Sequence, residues 1–124
     1  MRLRPFFAAL ALTAATGAAL AHHPGSHAVR EKDGRVRLDV AATAPETCAA
    51  VATIRNVTPP RVASPPGGAP VTVQLSRKPG ACSPAPTLVR HEGFLDIAEG
   101  VRLLHLYVVG ADGAVLATER VPLR

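Results

Sequence analysis

Three histidines fall within six positions of the stretch ALAHHPGSHA: His22, His23 and His27. Neutral imidazole nitrogen ligates copper(II), zinc and nickel, so this cluster is a candidate metal site. Ala19, Leu20 and Ala21 stand directly before it, with small residues at −3 and −1 of a signal-peptidase site. Cleavage after Ala21 would give His22 a free α-amine beside its own imidazole, and one residue could then chelate through both nitrogens. Pro24 has no amide hydrogen, so deprotonated backbone nitrogens cannot extend the ligand set past His23. Cleavage one residue earlier would place a histidine third, behind two ionisable amides, but it requires leucine at −1. The competing reading is a solvated tail, because HPGSH is flexible and closing it on a metal costs conformational entropy. Two other histidines stand apart. His105, within LLHLY, reads as a core or sheet-face histidine, and His91, within RHEG, as an exposed turn residue.

Sulfur is scarce. Met1 is the only methionine, and the cysteines are Cys48 and Cys82. Soft copper(I) sites want thioether or thiolate, which leaves imidazole and a divalent ion. An even cysteine count in an exported chain reads as one structural disulfide. Closing a loop of about 34 residues would stabilise the fold by roughly 4 kcal/mol in the chain-entropy account. A redox pair would need Cys-X-X-Cys spacing, which is absent.

No enzyme signature accompanies these groups. Ser26, Ser64, Ser76 and Ser83 lie outside any G-x-S-x-G elbow, and there is no H-E-x-x-H or phosphate-cradling glycine loop. Glu46, Glu92, Asp96 and Glu99 are scattered. The expectation is a non-catalytic protein.

Arg2 and Arg4, the uncharged run Phe6 to Leu20 and the small residues after it read as a secretory signal peptide over 1–21. The run is shorter than the ~20 residues a spanning helix needs. A soluble periplasmic chain from His22 onward is expected. The formal charge of +5 would fall by two on cleavage. The remaining charges alternate in sign, as in VREKDGRVRLD, with no basic run to track a phosphate backbone. Phe94 and Tyr107 would be the only aromatics left, too few to stack bases. Nucleic acid is not an expected partner.

The elements that must position these groups have period two. Val36, Leu38 and Val40 face one way and Arg35, Arg37 and Asp39 the other; Val71, Val73 and Leu75 alternate with Thr72, Gln74 and Ser76. Both segments read as half-buried strands. In CAAVATIRNV, Cys48, Ala50, Ala52 and Ile54 share a face that aims Cys48 inward. VRLLHLYVV is apolar on both faces, as a strand covered on both sides would be. Asp33-Gly34 and Asp112-Gly113 mark tight hairpins of the primed-turn kind. Thr58 to Pro70, rich in proline, reads as an extended loop, and a second proline cluster sets Cys82 at a strand end. Together these imply a single all-β domain over 29–124, behind a histidine-rich segment over 22–28: a small immunoglobulin-like β-sandwich of six or seven strands with one disulfide.

Histidine at the expected mature N-terminus and the closing hairpin LYVVGADGAV (Leu106 to Val115) resemble CopC-type periplasmic copper-resistance proteins, over about a quarter of the mature chain. That resemblance implies a β-sandwich with copper(II) held by His22 and Asp112. The family's third ligand would stand two residues beyond the aspartate, where this chain has Ala114, which cannot ligate. Metal binding through His22, His23, His27 and Asp112, copper(II) first and zinc or nickel as alternatives, is the leading functional expectation. A metal-independent interaction or structural module of the cell envelope, presenting a sheet face or the proline-rich loop to a protein partner, is the other.

Overall fold

The computed structural model describes residues 25–124, so His22, His23 and the expected leader lie outside the described residues. Seven strands follow one another along the chain: β1 (His27–Arg30), β2 (Val36–Ala44), β3 (Ala49–Arg55), β4 (Ala69–Arg77), β5 (Thr87–Leu95), β6 (Leu103–Val109) and β7 (Val115–Pro122). They form a three-stranded sheet ordered β1-β2-β5 and a four-stranded sheet ordered β3-β4-β6-β7. All pairs are antiparallel except β4 with β6. The all-β class, the strand number and the Cys48–Cys82 disulfide are as expected. No helix among the described residues is long and apolar enough to cross a membrane.

The core lies between the sheets and follows the alternation. Val36, Leu38 and Val40 from β2 meet Val71 and Val73 from β4, Leu104 and Leu106 from β6, and Val121 from β7, all essentially without solvent contact. Each such side chain contributes about 1.5–3 kcal/mol relative to exposure. The sandwich closes along both sides. At one, β1 meets the chain end: Arg30 N–H donates to Arg124 O at 2.8 Å, and Arg124 N–H to Ala28 O at 3.1 Å. At the other, Gly93 of β5 approaches Ile54 of β3 so closely that an added Cβ would stand 2.9 Å from the Ile54 Cδ1.

Three local expectations change. In β3 the register slips between Val51 and Thr53, leaving Ala52 as an extra residue. Such a bulge reverses the alternation. Ala49, Val51 and Ile54 therefore pack on the core, rather than the face expected to run from Cys48 through Ala50 and Ala52; Cys48 itself is buried. Second, neither Asp-Gly turn is a two-residue primed turn. In one, Glu31 N–H donates to Arg35 O and Gly34 N–H to Glu31 O; in the other, Gly110 N–H donates to Ala114 O and Gly113 N–H to Gly110 O. Only the glycines take positive φ, 94° at Gly34 and 93° at Gly113. This is the three-residue loop with a left-handed glycine closing it. The aspartates instead use their carboxylates, which accept the backbone N–H of Arg35 and of Ala114 at 3.0 Å.

Third, the segment limits move. β4 begins at Ala69, so Pro70 belongs to the strand and the loop ends at Gly68. Pro70 is in register with His105 of β6, while β3 pairs with β4 only from Thr72 onward, so on the β3 side a residue without an amide hydrogen breaks no ladder bond. Cys82 lies beyond the end of β4, in the β4–β5 connection. β1 likewise begins at His27, inside the segment expected to precede the domain.

Candidate functional site

His27 opens β1 with its side chain exposed, directly opposite Asp39 of β2, which is in turn opposite Glu92 of β5. Residues directly opposite across a sheet share a face, so imidazole and two carboxylates line one row on the outer surface of the three-stranded sheet. The segment just before is anchored: Ser26 N–H donates to Glu119 Oε2 at 3.0 Å, and the Ser26 hydroxyl accepts Ala41 N–H at 3.0 Å. Arg37 sits in the adjoining row, 3.0 Å from Glu31 and 3.7 Å from both Asp39 and Glu92. Asp39 and Glu92 thus face a resident cation, with which a metal would compete. Among the described residues, no group of three or more His, Cys, Asp or Glu is placed to hold a metal ion.

Asp112 is elsewhere. It lies in the β6–β7 turn, beside Glu46, Arg77 and Leu116. The bridge between Ala28 and Leu123 sets His27 near the far end of β7. At about 3.3 Å per residue, the strand separates His27 from Asp112 by roughly 20 Å or more. The structure does not bring these two expected ligands together. His91, expected in a turn, is exposed but belongs to β5, in register with Val40.

His105 is placed most informatively. β6 is buried on both faces: Leu104, Leu106 and Val108 fill the core, while His105 and Tyr107 point out and are covered too, at 9% and 6% exposure. Their cover is the proline-rich loop between β3 and β4. Thr72 Oγ1 donates to Val57 O at 2.7 Å, tying the loop start to β4. At its end a Cβ on Gly68 would stand 2.7 Å from the His105 Nε2 and 2.9 Å from Leu103 O. His105 Nε2 is buried without a hydrogen-bond partner. A buried polar group left so costs about 1–3 kcal/mol. Beside it runs a groove of about 670 Å³ with Pro65 and Pro66 on one side, His105 and Tyr107 in the floor, and Thr118 and Arg120 of β7 on the other. Register confirms the arrangement, since His105 is opposite Arg120 and Tyr107 opposite Thr118. Sequence reading found the two-sided burial of β6 but not the groove. The proline run and the isolated histidine are about 40 residues apart, and only the cover joins them.

Compared with protein families, with curated proteins and with solved structures, the chain matches none.

Proposed function

We propose that this chain is an exported, periplasmic, non-catalytic protein that binds a divalent transition metal through its N-terminal histidines. The observation that carries the reading is the anchored start of β1: Ser26 is held by Glu119 and Ala41, so the histidine cluster connects to the fold at a fixed point. His27 projects there beside the Asp39 carboxylate. His22 and His23 supply the rest of the imidazole set from outside the described residues, and a free α-amine at His22 would add a further nitrogen. Asp112 is not part of this set, being at the opposite end of β7. Copper(II) is the first metal to test, on ligand type and on the resemblance of the chain ends to copper-resistance proteins; zinc and nickel share the ligand preference.

Native mass spectrometry of the protein produced from the full chain and loaded with copper(II) tests this. One retained ion on a chain beginning at His22 is the expected result. Loss of that ion in the His22→Ala, His23→Ala, His27→Ala triple variant would assign the ligands, and unchanged retention would overturn the reading. Binding should also fade as pH falls through the imidazole range, because the protonated ring has no free nitrogen.

A further inference from the structure

We infer that the groove over β6 binds a small carboxylate with a flat apolar body, held by Arg120 against the two prolines. Three observations converge on that class. The polar groups facing the groove from the sheet are Arg120, Thr118, His105 and Tyr107, all able to donate and none a carboxylate side chain. The one acid at its rim, Glu119, alternates to the other side of β7 and is committed to Ser26 N–H at 3.0 Å. Arg120 is exposed and has no ion-pair partner among the described residues, so its planar fork is available to a carboxylate. An anion alone would need only the charge. Pro65, Pro66 and Tyr107 line the same groove and add apolar surface for a hydrocarbon body, the usual division of labour in a small-molecule site.

Gly68 is what allows the floor and wall to meet. Any side chain there would strike His105 and the backbone of Leu103, lifting the loop from the strand. The site is separate from His27, which belongs to the other sheet.

The test uses uniformly ¹⁵N/¹³C-labelled protein produced from the full chain and three probes, benzoate, benzamide and acetate, with chloride as the simple anion. Saturable shifts from benzoate should concentrate on His105, Tyr107, Thr118 and Arg120. Benzamide lacks the charge and acetate the body, so each should bind about tenfold more weakly or less. Arg120→Gln, at an exposed position that leaves the core untouched, should weaken benzoate by about tenfold while the rest of the spectrum stays folded. Several results would overturn the proposal. One is shifts confined to the Arg37 face. Others are equal response to chloride and benzoate, which marks an adventitious ion only, or benzoate binding that Arg120→Gln does not change.

Discussion

The two outer faces of the sandwich end differently. On the three-stranded sheet, Arg37, Asp39 and Glu92 form an open ionic surface, and Phe94 lies 47% exposed with the Arg35 guanidinium 4.7 Å from its ring centre. On the four-stranded sheet, the loop from β3 to β4 folds back over β6, and Tyr107 keeps only 6% of its surface. Each face has one aromatic residue. The first has a cation beside it in water, and the second is buried in the floor of the groove that Pro65 and Pro66 also line. Outward strand positions stay in water only where no loop returns to cover them.

The largest test of this contrast is removal of the covalent link that encloses the covering loop. Cys48 and Cys82 bracket the whole proline-rich segment. The paired Cys48→Ala, Cys82→Ala variant should lose about 2–4 kcal/mol, read as a lower denaturant midpoint. An unchanged midpoint would mean that the sheets alone fix the chain. A smaller and more local change is Gly68→Ala. It should cost about 1–3 kcal/mol by overpacking and raise the solvent exposure of Tyr107, measured by fluorescence quenching. If Tyr107 stays protected, the cover does not depend on that close approach.

On the open face, Arg37→Ala should cost less than about 1 kcal/mol, since its partners are solvent-exposed or half-exposed. A loss as large as that from Gly68→Ala would erase the distinction between the faces. The smallest effect concerns Asp33, whose carboxyl is held below the ordinary 3.8, first by the Arg35 backbone N–H and then by the Arg35 side chain. A lowered folded value means the charged form is favoured. The stabilisation is therefore present above 3.8 and lost as pH falls through the lower folded value. Carboxyl ¹³C titration should give a midpoint under 3.8, and Arg35→Ala should raise it only partly because the backbone donor remains. A midpoint unmoved by Arg35→Ala would assign the whole shift to the backbone.

Much of the fold was legible in the chain because it is local. Alternation marked the buried residues of β2 and β4, Asp-Gly marked both hairpins, and the apolar run of β6 announced cover on both faces. The turn type was misread because Asp33 and Asp112 satisfy the loop through their carboxylates, leaving positive φ to the glycines. The face of β3 was misread because nothing in CAAVATIRNV marks Ala52 as an extra residue; only pairing with β4 does. The histidine cluster was visible as composition, but its relation to Asp112 was not, since strand direction sets that separation.

Residue order alone therefore determined which positions are apolar, where the chain turns, and that a cysteine pair and three neighbouring histidines exist. These depend on side-chain chemistry and on neighbours a few residues away. Tertiary structure decided that His105, Arg120 and Pro65 share a groove, that His27 stands beside Asp39, and that Asp112 belongs to neither. Such groupings depend on strand order, register and the path of one loop, and no short-range pattern encodes them.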